Sequence, residues 1–408
     1  MVRRAIIVSG IAVAGVGGSV VSNTCHSDLP SYGEETGLRD YNNKDYVIIT
    51  RKLFRDTLIR FIEAKEKEGF AVETVMVEDL DNDCNGKSPA EKIKTFIRNR
   101  VRESTNFLLV GDTEVREDFR WKANADEDIK FNLEGSQDLG KSWNVPSGYY
   151  LLSSSEGDGR TMTISDLYYA DLDEWDKDGD GFNDTVPFSE EFDFEAVVGR
   201  WPVRTTEDLN KIITKTLNVR PMHEVHFWKS LEFDKEYPEN CTKTEMEIRK
   251  GALTSPFCAM QIVFAGSDIA MKTHYIEQAD VEKGNTAFRK FFVSTDQAVY
   301  ANFHGSKTSI QGFSVGDVNQ FENIIPFYHP ESCSMVHYFW GSDDALVEAL
   351  LKAEKGPAAI VQPPSPSNFY MGISHGKTLG ESLYPKGKYT MNRWYSMLLG
   401  DPSLKVVE

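Results

Sequence analysis

The chain of 408 residues has few long apolar runs, few cysteines and little positive charge, and each of these excludes a class of protein. Beyond its N-terminal segment no apolar run reaches 18 residues, which excludes a polytopic membrane protein. Five cysteines in a chain of this length exclude a small disulfide-stapled scaffold. Positive charge is in deficit, since 45 Lys and Arg oppose 63 Asp and Glu, and the net charge of −18 disfavours nucleic acid as a partner. The remaining composition, 40% hydrophobic and 26% charged, is that of an ordinary globular protein with two or three folding units.

The N-terminus has the order of a secretory signal peptide. Two arginines precede the apolar run 5–21, and small residues lie at its end. This order predicts that residues 1–22 are a cleaved signal and residues 23–45 an N-terminal extension. We therefore expect a secreted or cell-envelope protein with no stable membrane span once the signal is removed. A retained anchor is the alternative, although its glycines make it a weak spanning helix.

The cysteine count is odd. An exported protein is expected to pair its cysteines, so one thiol remains after two possible pairs. Sequence separation does not determine which cysteines pair. The five are Cys25, Cys84, Cys241, Cys258 and Cys333.

Strand and helix patterns alternate from residue 46 onwards. Residues 46–50 are rich in β-branched side chains, apolar residues then recur at helical spacing up to Gly69, and 70–77 predicts a second strand. Ser88 starts a capping box that predicts a helix before the apolar run 107–111. Strands that alternate with helices of this length predict a parallel sheet covered on both faces.

The later part of the chain predicts a second α/β block. Residues 114–191 are polar and rich in Asp, Gly and Ser, so we predict long loops there, followed by a strand at 197–200 and a helix that starts near Thr205. No internal repeat is visible. We predict two α/β subdomains, residues 46–220 and 221–408, each with a largely parallel sheet. The predicted elements of the second are strands at 261–265, 298–303, 324–328 and 358–361, and helices around Ala287 and at 345–353.

An acidic segment inside the predicted loops has the pattern of a calcium site. From Asp176 the sequence DKDGDGFND places carboxylates at positions one, three, five and nine of a turn, with glycine at position six. Ca²⁺ binds such hard oxygen ligands, and glycine permits the sharp turn. Position twelve is Pro187 rather than the Glu of an EF-hand, so Glu190 or Glu191 would complete the site. The predicted ligands are Asp176, Asp178, Asp180, Phe182 through its carbonyl, Asp184 and Glu190. A solvated acidic loop is the alternative.

A histidine and a cysteine follow two predicted strands. His304 and Gly305 come directly after the strand at 298–303, and Cys333 follows the strand at 324–328. The carboxyl ends of neighbouring parallel strands share the crevice where α/β proteins place their chemistry. An imidazole there can activate a thiol, and backbone amides can stabilise an oxyanion. By spacing alone, a buried cysteine without catalytic function is the simpler interpretation.

Seven sequence blocks strengthen the catalytic interpretation because they occur in the order found in a known family. They resemble the gingipain family of cysteine peptidases, which has the caspase-like fold of clan CD. The similarity runs from about residue 46 to 408 and implies two α/β subdomains, a dyad of His304 and Cys333, an oxyanion hole that includes Gly305, and bound calcium. The blocks are Phe107–Asp112, Ser165–Asp173, Val197–Arg200, Asn302–Ser306, Ser332–Cys333, Ala345–Leu351 and Gly400–Leu404.

Two sequence features bear on substrate preference, and they favour different residues at the cleaved bond. Glu191 and Asp193 precede the strand at 197–200, as an acidic pocket residue does in Arg-cleaving relatives, and favour cleavage after a basic residue. The bulky segment 334–340 departs from the gingipain pattern and favours a large apolar residue instead. Asp166 is a candidate for orienting the dyad histidine.

The sequence therefore predicts a secreted, calcium-binding cysteine endopeptidase that acts on proteins or peptides. Cys333 would attack the scissile carbonyl and His304 would protonate the leaving amine. A transpeptidase of the same family is one alternative, in which an amine rather than water resolves the acyl-enzyme. The other is a catalytically silent, calcium-dependent surface or binding protein.

Overall fold

The computed structural model describes most of the chain from residue 45 onwards. The predicted signal peptide, the predicted calcium loop at 176–184, His304 and Cys333 all lie outside the described residues. Those described are 45–84, 86, 88–101, 105–113, 141–142, 144–153, 160–174, 185–186, 191–230, 260–261, 263–265, 267–276, 280–303, 305–306, 308–331, 345–362, 366–385, 388–390 and 397–408.

Strands and helices alternate along the described chain. The strands are β1 Asp45–Thr50, β2 Ala71–Met76, β3 Asn106–Val110, β4 Gly148–Ser153, β5 Arg160–Ser165, β6 Thr185–Val186, β7 Glu191–Asp193, β8 Val197–Trp201, β9 Glu224–Ser230, β10 Ala270–Ile276, β11 Ala298–Asn302, β12 Ser309–Ile310, β13 Phe313–Ser314, β14 Ile324–Ile325, β15 Tyr328–Glu331, β16 Gly356–Pro357, β17 Ile360–Gln362, β18 Lys388–Thr390 and β19 Met397–Leu399. The α-helices are α1 Ile59–Lys67, α2 Val77–Asp83, α3 Pro89–Arg100, α4 Leu167–Ala170, α5 Thr206–Thr216, α6 Val281–Ser294, α7 Leu346–Lys352, α8 Pro366–Ser374 and α9 Leu379–Leu383.

Ten strands form one central sheet in the order β10-β9-β11-β15-β17-β19-β8-β3-β1-β2. Neighbouring strands are parallel except at β17 and β19, which pair antiparallel. The four strands before residue 220 and the six after it lie side by side in this sheet. The predicted α/β class with a largely parallel sheet flanked by helices is confirmed.

Both faces of the sheet are covered. Along β1, Val47 and Ile49 belong to one buried cluster, and Tyr46 and Ile48 belong to another on the opposite face. Successive side chains of a strand point to opposite faces, so a run such as 46–49 is apolar throughout when helices cover both sides.

Local sequence signals fix several element ends. The Ser88 hydroxyl accepts a hydrogen bond of 3.0 Å from the Glu91 amide and caps α3. Thr205 caps α5 in the same way through the Asp208 amide, at 3.1 Å. Gly69 follows α1 with a φ of +94°, a left-handed conformation that favours glycine. These boundaries agree with the sequence predictions.

Three predicted segments need correction. Residues 261–265 are not a strand: 260–261 and 263–264 are helical. The strand in this region is β10, which was not predicted. A short apolar run does not distinguish a strand from a buried helix, and β10 is an edge strand that mixes polar and apolar residues. The strand predicted at 324–328 is divided into β14 and β15. The predicted loop region 114–191 contains α4 and a second sheet of three strands, in the order β5-β4-β6.

Buried polar contacts join the N-terminal and C-terminal parts of the chain. Lys215 on α5 is buried, and its Nζ donates to the carbonyls of Leu350, Leu351 and Ala353 at 3.1, 2.8 and 3.0 Å, at the end of α7. Asp401 lies after β19 and pairs with Lys65 on α1 at 2.8 Å. Because such buried groups are costly to leave unpaired, these contacts tie the two parts together.

Candidate active site

The order of the strands marks one place in the sheet where a crevice is expected. From β9 the chain passes outward to β10 and then returns to β11 on the other side of β9. All three strands are parallel, so the connections diverge at the carboxyl ends of β9 and β11. Such a switch point is where open α/β sheets bind ligands. The strand β15, parallel to β11, extends the same edge.

The segment after β11 is anchored on both sides of the predicted catalytic histidine. Phe303 is buried, and Gly305 forms an antiparallel bridge with Ile310. Beyond it, β12 and β13 form a tight hairpin whose turn residues Gln311 and Gly312 have φ values of 41° and 76°. The chain is therefore fixed immediately before and immediately after residue 304.

The ends of β11 and β15 are joined by a side-chain hydrogen bond. Asn302 and Glu331 are partners in the parallel ladder, and Asn302 Nδ2 donates to Glu331 Oε2 at 3.1 Å. On the other side of β11, Asn302 is in register with Lys229 of β9. Three polar residues thus form one row across the carboxyl ends of three neighbouring strands, at the switch point.

The carboxyl group in this row is strongly perturbed. Although Glu331 as a residue is partly exposed, its surroundings desolvate the carboxyl and raise its pKa to about 8, against the opposing positive charge of Lys229. The same carboxyl contributes to the raised pKa of the buried Tyr370 hydroxyl, which burial itself increases most. An acid that titrates near neutral pH at such a crevice is typical of a functional site.

Two residues further into the sheet, aromatic residues support these strand ends. His329 Nδ1 and the Tyr370 hydroxyl share a hydrogen bond of 2.6 Å, which joins β15 to α8. The ring of Tyr300, the ladder partner of His329, packs edge-on against the imidazole at 4.6 Å between centroids. The row that carries Asn302 and Glu331 therefore rests on a packed layer.

The predicted dyad itself lies outside the described residues. His304 is two residues beyond Asn302, and Cys333 is two residues beyond Glu331. Because two residues span at most about 7 Å of backbone, each is tethered close to one of two adjoining strand ends. Of the predicted catalytic residues, Gly305 is described, and it lies at the same end of β11.

Asp166, the predicted orienting acid, has other partners. Its carboxylate accepts from Arg200 Nε at 2.6 Å and Arg200 Nη2 at 2.8 Å, and also from the Ser147 hydroxyl. Arg200 lies on β8, four strands from β11, which corresponds to about 19 Å at the usual strand spacing. The structure therefore does not bring Asp166 together with Gly305.

Glu191 and Asp193, the predicted pocket acids, belong to β7. This short strand pairs antiparallel with β18, and Asp193 is opposite Lys388. The described contacts do not connect either acid to the ends of β11 and β15. Their role in a substrate pocket stays a prediction.

The predicted calcium ligands lie outside the described residues, between Glu174 and β6 and just before β7. Within the described part of the chain, no group of three or more His, Cys, Asp or Glu residues could hold a metal ion. Among the helices of that same part, none is long and apolar enough to cross a membrane.

One cysteine is described in the structure. Cys84, at the end of α2, is buried and disulfide-bonded, and its partner lies outside the described residues. Disulfides persist mainly in oxidising compartments.

No pattern in the sequence indicated the polar row at the switch point. Asn302 gave the clearest local signal, as the one polar residue at the carboxyl end of the apolar strand β11, whereas β9 and β15 carry other polar residues besides Lys229 and Glu331. Their alignment across β9, β11 and β15 depends on strand order and register, which the sequence does not give.

The chain matches a known family over nearly its whole length. The sequence profile of peptidase family C25 matches residues 39–407. A search of curated proteins finds no match.

Solved structures with a similar fold are gingipains and another protease. The crystal structure of the Arg-specific cysteine proteinase gingipain R (RgpB) covers 90% of this chain and 78% of its own, with a TM-score of 0.55 and 17% identity. The complex of the RgpB pro- and mature domains from Porphyromonas gingivalis covers 89% and 79%, with a TM-score of 0.54 and 17% identity. A structure described only as a protease covers 89% and 78%, with a TM-score of 0.51 and 12% identity.

Proposed function

Because the chain belongs to peptidase family C25, the gingipain family of cysteine peptidases, we propose that it is an endopeptidase with Cys333 as nucleophile and His304 as its acid–base partner. The observation that carries the proposal is the ladder pairing of Asn302 with Glu331. The segments that contain His304 and Cys333 begin directly after these two residues. They therefore begin at adjoining strand ends, at the switch point of the sheet.

The chemistry that we propose uses few groups. The Cys333 thiolate attacks the scissile carbonyl, and the amides of Gly305 and Cys333 stabilise the oxyanion. His304 protonates the leaving amine, and water then hydrolyses the acyl-enzyme. In support, the bridge between Gly305 and Ile310 and the buried Phe303 fix the backbone on both sides of the histidine.

The decisive experiment is removal of the nucleophile. We expect Cys333→Ala to lower kcat/KM for a cleaved peptide by about 1,000-fold or more and His304→Ala to lower it nearly as much, because groups that act as a unit are not additive. The double variant should therefore be no worse than Cys333→Ala alone. Turnover at the parent rate in a correctly folded Cys333→Ala protein would reject the proposal.

Labelling and product analysis distinguish the alternative functions. A peptidyl electrophile should modify Cys333 of the folded protein and should not modify the His304→Ala variant at the same rate. No labelling of Cys333 under any calcium condition would favour a silent binding or surface protein. Transfer of the acyl group to an added amine, at the expense of hydrolysis, would favour a transpeptidase.

We propose cleavage after a basic residue. The support is a net charge of −18, the acids Glu191 and Asp193, and the fold shared with an Arg-specific proteinase. Profiling a peptide library tests this preference directly. Enrichment of large apolar residues at the cleaved position, with Arg and Lys depleted, would reject it. Should Arg be preferred, Glu191→Gln and Asp193→Asn made separately would identify the carboxylate responsible.

We also propose that the protein binds calcium and acts outside the cytoplasm. The donor set Asp176, Asp178, Asp180 and Asp184 is chemically suited to Ca²⁺, and the ion would order the loop that these residues occupy. The disulfide at Cys84 and the signal-like segment 1–22 support export. Cell fractionation tests the second point: full-length protein that stays in the cytoplasm with residues 1–22 attached would reject export.

A further inference from the structure

The pair of Asn302 and Glu331 has a cost that packing does not explain. Burial raises the pKa of the Glu331 carboxyl to about 8, so the surroundings of this side chain disfavour its ionised form. A β-branched side chain would fill the end of β15 without that penalty, since such residues pack well on a sheet. A desolvated acid at the crevice of an enzyme is more typical of function than of stability.

The position of the pair also suggests what it does. Regular pairing between β11 and β15 ends at Asn302 and Glu331, which are the last ladder partners of the two strands. The side-chain hydrogen bond of 3.1 Å adds a link across this last row. Beyond it each chain needs only two residues to reach a member of the predicted dyad. A shift of one strand end against the other would therefore change the distance between His304 and Cys333.

We propose that Asn302 and Glu331 are a positioning pair, which holds the ends of β11 and β15 in the register that brings His304 and Cys333 together. The inference rests on the proposed function, because it assigns the pair to that dyad. The hydrogen bond between the two side chains provides this positioning. Glu331→Gln therefore retains the function, whereas alanine at either position removes it.

The test measures the reactivity of Cys333 without any peptide substrate. Iodoacetamide is added to the folded protein, and the modified peptide that contains Cys333 is quantified by mass spectrometry, which separates it from the other cysteines. We expect Asn302→Ala and Glu331→Ala each to slow alkylation at pH 7 by about 10-fold, because a misplaced imidazole no longer stabilises the thiolate. The pH profile of alkylation should shift towards the ordinary thiol pKa of about 8.5.

Three further variants distinguish positioning from simple packing. Glu331→Gln should retain the rate within about threefold, since its carbonyl oxygen still accepts from Asn302. The double alanine variant should be no slower than either single variant, because both remove the same bond. The matched control is Gln362→Ala, an amide at the end of β17 that donates to the Pro330 carbonyl at 3.1 Å and should leave the rate unchanged.

Clear results would overturn the inference. Unchanged alkylation rates and pH profiles in both alanine variants, with only the melting temperature lowered, would make the pair structural. Multiplicative effects in the double variant would also reject a shared role. If the alanine variants do not fold, Asn302→Ser and Glu331→Asp are too short to form the bond and carry the same expectation.

Peptide kinetics separates this inference from the proposed function. In the alanine variants kcat should fall about 10-fold with KM within twofold, because the bond positions the dyad rather than the substrate. A parent protein that cleaves no peptide, yet shows the expected alkylation differences, would reject the endopeptidase activity while the positioning role stands. A parent protein that is active, with variants of unchanged alkylation and kcat, would reject the positioning role alone.

Discussion

The two halves of the central sheet wind in the same order but differ at the ends of their strands. The first half runs from β1 outward to β2 and back to β3, as the second runs from β9 to β10 and β11. In the first half a buried ion pair and hydrogen bonds to backbone carbonyls close the strand ends, and we call this the sealed end. Arg200 is fully buried and donates to the carbonyls of Gly111 and Val145 at 2.8 Å each, in addition to its pair with Asp166.

In the second half the corresponding strand ends carry a hydrogen bond between an amide and a carboxyl. Asn302 donates to Glu331 at 3.1 Å, and the carboxyl retains a pKa of about 8 although Lys229 opposes the shift. A buried guanidinium with a full set of acceptors is a structural element, since breaking it exposes an uncompensated charge. A carboxyl that titrates near neutral pH is suited to a site where chemistry occurs. The same strand order thus produces closed, ion-paired strand ends in one half and the candidate active site in the other.

The largest expected effect comes from breaking the sealed end. Arg200→Met leaves Asp166 buried without its counter-ion and should lower the free energy of unfolding by about 3–5 kcal/mol. Urea unfolding measures this loss. The control is Arg200→Met combined with Asp166→Leu, which removes both charges and should recover much of the stability. A loss below about 1 kcal/mol in the single variant would contradict the structural role, given typical values for buried pairs.

Calcium binding should have the next largest effect. It tests whether the first half depends on a bound metal ion in addition to its buried ion pair. Ca²⁺ at about 100 times its Kd should add about 2.7 kcal/mol to the stability of the folded state. The melting temperature should therefore fall when a chelator is added. The double variant Asp178→Ala, Asp180→Ala should show no such response. Equal melting temperatures of the parent protein with calcium and with chelator would count against the site.

The contact between the halves at Lys215 predicts a smaller loss. Lys215→Met removes three hydrogen bonds to carbonyls at the end of α7 while it keeps the length of the side chain. We expect a loss of about 1–3 kcal/mol, because buried acceptors are left without a donor. Lys211→Met, in an exposed pair with Glu207 on the same helix, is the matched control and should leave stability unchanged. Equal unfolding midpoints for the two variants would show that the contact contributes nothing.

The smallest expected effect is a pH dependence at the outer edge of the second half. Burial lowers the pKa of His274 to about 4 and also lowers that of His226, and the two rings share a hydrogen bond of 3.0 Å. As the pH falls from about 6.5 towards 4, the unfolded chain binds protons before the folded one, so stability decreases.

His274→Phe keeps a ring beside Trp228 and removes one titrating group. Because His274 is partly exposed, solvent screening reduces the effect, and the loss of stability between pH 6.5 and 5 should shrink by about 1 kcal/mol. Denaturant unfolding at several pH values measures the slope. A parent protein whose stability does not change across this range would contradict the assignment.

The sequence determined those features that depend on neighbours along the chain. Ser88 and Thr205 start helices because each hydroxyl caps an amide three residues later. The runs at 46–50 and 107–111 are strands because residues buried on both faces must be continuously apolar. The succession of these elements was enough to predict the α/β class and to place Gly305 at the end of a strand.

Tertiary structure decided the features that depend on which strands become neighbours. Residues 261–265 are apolar enough for a strand, yet the segment 270–276, which mixes polar and apolar residues, pairs with β9, because an edge strand has a neighbour on one side only and tolerates polar residues. Asp166 is an acid in the right family block, but its partner is Arg200, which no local pattern indicates. The polar row at the switch point also depends on which strands become neighbours. Asn302 and Glu331 are 29 residues apart, and only parallel pairing of β11 with β15 makes them touch.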